Sequence, residues 1–201
     1  MIRVLLADDQ TMFRTAIRRL LELEGDMDVV AEVGRGDEVV QAARVSDAEV
    51  ALLDIELPGR DGLSVAADLR DALPSCRALV VTTFGRPGFL QRAMAAGAAG
   101  FVSKDASPEA LADAVRRCAA GETVVDPGLA AAAMRLGQSP LSAREREVLA
   151  ATTSGATVAE IARSLHLSEG SVRNRISEAI SKLGARNRAD AVRIASERGW
   201  L

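Results

Sequence analysis

Five polar side chains stand where short apolar runs end. Ile2–Ala7 stops at Asp8 and Asp9, Val50–Leu53 at Asp54, Ala78–Val81 at Thr82, and Gly100–Ser103 at Lys104. If these runs are neighbouring strands of one parallel sheet, the five residues share its carboxyl-end edge, where such sheets bind ligands. Three carboxylates gathered there repel one another. A hard divalent cation such as Mg2+ relieves that repulsion, because it takes carboxylate and carbonyl oxygens plus water. Lys104 then offers a positive charge to a phosphoryl oxygen, and Thr82 offers a hydroxyl. A carboxylate beside such an ion can attack phosphorus and form an acyl phosphate. A single Asp after a strand is weak, since turns favour Asp anyway. The five together are specific, because Lys104 is the only lysine before residue 140.

The elements that must position these residues are readable. Ile2–Ala7, Asp28–Val33, Val50–Leu53, Ala78–Val81 and Gly100–Ser103 read as strands. Thr11–Leu23, Gly36–Val45, Leu63–Leu73 and Leu90–Ala96 read as helices, with a fifth capped by Ser107 and running to Ala120. Five strands alternating with five helices predict a doubly wound α/β layer structure with a parallel sheet. The strands are apolar throughout, as expected of a sheet covered on both faces. The stretch 121–140, with its Gly, Pro and LAAAAM, reads as a linker holding a short helix.

From Leu141 only helices are expected. Ser142 with Glu145, and Thr157 with Glu160, have capping-box spacing, and Ser168 can cap a third helix. A fourth is expected over Ala189–Ala195. Two helices joined by a tight turn at His166-Leu167, the second longer and Arg-bearing, make a helix-turn-helix candidate. In its second helix, Arg173, Asn174 and Ser177 share an outward face. Arginine pairs bidentately with guanine and asparagine with adenine. Arg175 points further round, towards phosphate. His166, the sole histidine, reads as structural, and Trp200 as packing for the C-terminus.

Composition agrees. Residues up to 140 hold 15 basic and 21 acidic residues, whereas the remainder holds 10 basic and 7 acidic. A basic segment after an acidic one suggests nucleic-acid contact. At 2% aromatic residues, base-stacking surfaces are disfavoured. No apolar run reaches membrane-span length. Cys76 and Cys118 lack metal or disulfide spacing and read as free thiols in a reducing cytoplasm. Of the 25 basic residues only Lys104 and Lys182 are lysines, so each marks a place where arginine would not serve.

Residues 1–120 resemble the receiver domain of bacterial two-component response regulators, a flavodoxin-like (βα)5 fold. The resemblance rests on Asp8, Asp9, Asp54, Thr82 and Lys104, with LLDIELPGRDGL around the central Asp. It implies that a histidine kinase phosphorylates Asp54. It implies Mg2+ held by Asp9, Asp54 and the backbone carbonyl of Glu56, with Asp8 assisting through water. Thr82 and Lys104 then sense the phosphoryl group, and Phe101 occupies an aromatic switch position. Asp105 departs from the pattern, since many receivers carry a proline there, often with a cis bond.

Residues 141–201 resemble the LuxR-type DNA-binding domain, over LSAREREVL and GATVAEIARSLHLSEGSVRNRISEAISKLGARNRADAV. In this order the two parts are similar to the NarL/FixJ family. TTFGRPGFLQRAM and the RGW ending resemble its DesR-like regulators of membrane-lipid desaturation. The resemblance implies base reading by Arg173, Asn174 and Ser177, and a backbone contact by Lys182. It implies a cytoplasmic transcriptional regulator on double-stranded DNA, reading an inverted repeat with half-sites ~10 bp apart. Phosphorylation would favour a homodimer through helices 11–23 and 107–120, which carry Leu20, Leu23, Leu111, Val115 and Cys118; the core cannot use all of these, and their exposed remainder forms the interface. The face around 86–105 is the second choice. Two other readings compete: a phosphorylation-independent DNA binder, and an Mg2+-dependent phosphotransfer enzyme. The second lacks both a GxxxxGK[ST] loop and an Asp-x-Asp after strand one.

Overall fold

The computed structural model describes every residue except Phe84 and Gly85. Those two residues of the TTFGRPGFLQRAM stretch therefore lie outside the described residues. The chain divides into two compact units, Met1–Gly85 with Leu90–Ala131, and Arg86–Phe89 with Ala132–Leu201.

The first unit is built on β1 (Ile2–Ala7), β2 (Met27–Val33), β3 (Val50–Leu53), β4 (Arg77–Thr82), β5 (Gly100–Ser103) and β6 (Val124–Val125). All pairings are parallel, in the order β2-β1-β3-β4-β5-β6. The order reverses between β1 and β3, so a crevice opens at their carboxyl ends. Between the strands run α1 (Thr11–Leu23), α2 (Gly36–Val45), α3 (Gly62–Ala72), α4 (Pro87–Ala96) and α5 (Pro108–Ala119). Ser107 caps α5 by accepting from the Ala110 N–H at 3.2 Å, and Pro108 occupies its first turn, as the sequence predicts.

Strand β6 departs from the sequence reading, which ends the sheet at five strands. Val124 pairs with Gly100 and Val125 with Phe101. Two residues are too few to show a period, and they lie among the Gly and Pro of the expected linker. The linker helix itself is present as α6 (Pro127–Leu136).

Val4, Leu6, Val50, Leu52, Leu79 and Val81 form a buried cluster with Ile17 and Leu21 of α1 and Leu111, Val115 and Cys118 of α5. This narrows the expected association face to what the core leaves exposed. Three of its five named side chains belong to the core, Leu20 is partly buried, and only Leu23 is exposed, at 82%. Both cysteines are free and buried, and burial pushes the thiol of Cys76 up to about 12 and that of Cys118 to about 11.

The second unit contains α7 (Ala143–Ala151), α8 (Val158–Ser164), α9 (Glu169–Leu183) and α10 (Arg188–Glu197). Both expected capping boxes form, Ser142 with Glu145 and Thr157 with Glu160. Val148, Ile161, Ala162 and Val172 make one small core. Leu149, Ala179, Ala191, Ala195 and Trp200 make another, so Trp200 does pack the C-terminus. His166 adopts φ 53° in the α8–α9 turn. No described helix is long and apolar enough to cross a membrane.

Candidate functional site

The carboxyl ends of β1, β3, β4 and β5 bring the expected residues to one crevice. Asp8 and Asp54 are 4% and 6% exposed, Thr82 is fully buried, and Asp9 is open to solvent. One carboxylate oxygen from each of Asp8, Asp9 and Asp54 lies within 4.8 Å of the others. The Lys104 ammonium reaches across the sheet to Asp8 Oδ2 at 2.5 Å and Asp54 Oδ2 at 2.9 Å. Its backbone N–H is fixed to the Thr82 carbonyl at 2.8 Å. Each buried carboxylate is also aimed by a backbone donor. Gln10 N–H donates to Asp8 Oδ1 at 2.8 Å, and Ile55 N–H to Asp54 Oδ1 at 2.7 Å.

Burial alone would lower the pKa of Lys104, because it disfavours the charged form. The hydrogen bonds from its ammonium to Asp8 and Asp54 outweigh that, and the pKa is raised. The ammonium is therefore a permanent cation at neutral pH. Against it stand three carboxylates, so the crevice is short of positive charge. Hard oxygen donors at this spacing suit a divalent cation, and among the described residues this trio is the group that could hold one.

The remaining expected residues fall as follows. The Glu56 side chain is exposed and stands outside the carboxylate trio. Phe101 is fully buried in β5, between β4 and β6. No peptide bond among the described residues is cis, in keeping with Asp105 after Lys104.

Two contributors escaped the sequence reading. The Lys104 ammonium lies 4.4 Å from the centre of the Phe13 ring, a cation–π contact. Arg14 donates to the backbone carbonyl of Asp8, which ties α1 to the acidic loop. Their signal was position: α1 begins two residues after Asp9, so its first turn must lie over the crevice. Gly62 closes the loop behind Asp54. Its N–H donates to the Ile55 carbonyl at 3.0 Å, and a Cβ there would meet the Asp54 carbonyl oxygen at 1.9 Å.

In the second unit, Val172 and Ala179 bury one side of α9. Arg173, Asn174 and Ser177 are exposed, as their spacing predicts. Arg173 is held along the helix by Glu169 at 2.6 Å, with its side chain still 62% exposed. Arg175 is half-buried, and its Nε is covered without a hydrogen-bond partner. Lys182, expected at the DNA backbone, has its ammonium bound to both oxygens of Glu145, at 2.7 and 2.8 Å.

Comparison with known proteins accounts for both units. Residues 4–116 match the response regulator receiver domain, and residues 139–195 match the bacterial regulatory proteins of the luxR family. The chain is 43% identical over 201 residues to the uncharacterized transcriptional regulatory protein YvfU of Bacillus subtilis, covering all of both chains. It is 38% identical to the transcriptional regulatory protein DesR of the same organism, again over the whole of both. Among solved structures, it is similar to the RcsB response regulator of Salmonella typhimurium, described for its conformational dynamism in DNA interaction. The TM-score is 0.67 at 26% identity, covering 98% of this chain and 100% of that one. The chain belongs to the LuxR-family response regulators, transcriptional regulators that join a receiver domain to a LuxR-type DNA-binding domain.

Proposed function

We propose that the chain is switched by phosphorylation of Asp54 and then reads an inverted-repeat operator as a homodimer. The observation that carries this reading is the Lys104 ammonium shared between buried Asp8 and Asp54, with Asp9 alongside. In the step itself, an Asp54 carboxylate oxygen forms a bond to phosphorus while the donor's bond to that phosphorus breaks. From a histidine kinase the imidazole leaves, and from acetyl phosphate acetate leaves. Asp8, Asp9, Asp54 and the Glu56 carbonyl would hold Mg2+, which offsets the charge that builds on the phosphoryl oxygens.

Lys104 exchanges its contact with Asp54 for a phosphoryl oxygen, and the buried Thr82 hydroxyl serves as a second donor. That exchange alters the packing around Phe101 and biases two arrangements of the receiver. On DNA, Arg173 and Asn174 read base edges, Ser177 adds a shorter contact, and Arg175 meets phosphate. The domain limits are 1–120, 121–140 and 141–201. The protein works in the cytoplasm, where its kinase and its operator both reach it, and its only turnover is of its own phosphoryl group.

Light scattering and DNA titration with and without beryllofluoride test the switch. The mass should double and operator affinity should rise. An unchanged mass together with unchanged affinity would leave a phosphorylation-independent DNA binder, the competing reading.

A further inference from the structure

Both lysines of this arginine-rich chain end on buried carboxylates. The first belongs to the acidic crevice. The second pairs with Glu145, which is 3% exposed, although the Lys182 side chain itself is 42% exposed. Glu145 is the third residue of α7 and the far half of its capping box. Its Oε2 accepts from the Ser142 N–H at 2.7 Å, and its backbone N–H donates to Ser142 Oγ at 3.2 Å. Lys182 then closes on both carboxylate oxygens from the last turn of α9, 37 residues along the chain. One buried carboxylate thus fixes the start of α7 and the end of α9 together.

The choice of lysine follows from shape. A compact ammonium can sit between two oxygens of one carboxylate while a backbone N–H uses one of them too. A guanidinium is a wide planar fork and needs more room beside the carboxylate than a compact point charge does. A buried carboxylate stripped of its cation is costly, whereas an apolar pair of similar size is tolerated.

We propose that Lys182 is a positioning residue of the DNA-binding domain, holding α9 in register on α7 through Glu145, and that it makes no phosphate contact. This rests on the reading of α9 as the DNA-reading helix. Arg173, Asn174 and Ser177 lie on that same helix, so a shift at its end moves all three relative to the groove.

The test uses the full chain. Wild-type protein, with beryllofluoride and Mg2+ present here and in every titration, first enriches a duplex from a random library. Binding is then titrated on that duplex and on a scrambled one, at several salt concentrations, for wild type, Lys182→Met, Glu145→Gln and the double variant. A phosphate contact contributes about one unit to the slope of log affinity against log salt. A positioning residue contributes none. Lys182→Met should lose operator preference several-fold with the wild-type slope. The double variant should regain most of that preference, because neither charge is left alone. A slope shallower by about one unit in both Lys182→Met and the double variant would overturn the proposal. So would full preference in Lys182→Met. If circular dichroism finds Lys182→Met unfolded, the double variant decides by its slope alone. A wild type that enriches no duplex would remove the DNA reading, and the positioning role with it. Thermal coupling between positions 145 and 182 would then stand as a packing contact only.

Discussion

The two lysine sites use the same pair of charges for opposite ends. At Lys104 one ammonium faces three carboxylates, and the third, Asp9, is open to solvent. At Lys182 one ammonium faces one carboxylate, whose oxygens are already partly used by the Ser142 cap. A site with surplus negative charge has capacity left for a cation and for a reaction. A site in balance has none, and its effect is to hold helices in place. Residue type alone does not separate them; the ratio of carboxylates to cations does.

Substitution at the reacting carboxylate should break the contrast most severely. Asp54→Ala should abolish phosphoryl labelling by acetyl phosphate and Mg2+, read by intact mass, while the fold measured by circular dichroism persists. Lys104→Ala sharpens the point. Labelling should remain, because the lysine does not attack phosphorus, but the labelled protein should no longer change mass in light scattering. Loss of labelling in Lys104→Ala would place the lysine in the attack itself.

In the balanced site the expected effect is on stability. Glu145→Ala removes a capping contact and a partly exposed ion pair, together about 1–3 kcal/mol by chemical denaturation. Acid provides a second view. Burial would raise the carboxyl pKa of Glu145, but Lys182 and the Ser142 N–H outweigh it and hold it at about 2. A depressed carboxylate stabilises the fold above its unfolded value, ~4.3, and loses that contribution as pH falls towards the folded one. Wild type should therefore lose stability between about pH 4.3 and pH 2 more steeply than Glu145→Gln. Equal slopes would mean that the pair contributes nothing in solution.

Narrower in reach is Arg173→Ala, which should leave the fold intact, cost about 1–3 kcal/mol on the operator alone and relax preference at one base pair. Part of the arginine's gain is offset by giving up Glu169, though an exposed pair of that kind contributes little. Ser177→Ala should matter less, since a hydroxyl cannot pair bidentately. Equal operator-to-scrambled ratios for wild type and Arg173→Ala would defeat base reading at this position.

The acidic crevice was legible because its residues are tied to strand ends, and strand ends show in the apolar runs. Asp8, Asp54 and Lys104 could be placed without knowing any side-chain direction. The exposed face of α9 that carries Arg173, Asn174 and Ser177 was legible by helical spacing alone. What was missed depends on packing across long separations. The tie from Lys182 to Glu145 spans 37 residues and leaves no local pattern, although the capping box around Glu145 was visible. Which of Leu20, Leu23, Leu111, Val115 and Cys118 the core takes was not legible, because helical spacing gives the apolar side of a helix and not the depth of the sheet beneath it. Strand β6 was hidden by its length of two residues. Phe13 and Arg14 became meaningful only once α1 was seen to start over the crevice.

The surplus charge at the sheet edge makes one claim above the others, that Asp54 alone is the phosphoryl acceptor. The full chain is incubated with acetyl phosphate and Mg2+, digested at low temperature, and the modified residue is located by mass spectrometry. A single phosphoryl group on Asp54, absent from Asp54→Ala and absent without the metal, is the predicted result. Phosphate found on Asp8, Asp9 or elsewhere, or labelling that persists in Asp54→Ala, would contradict it.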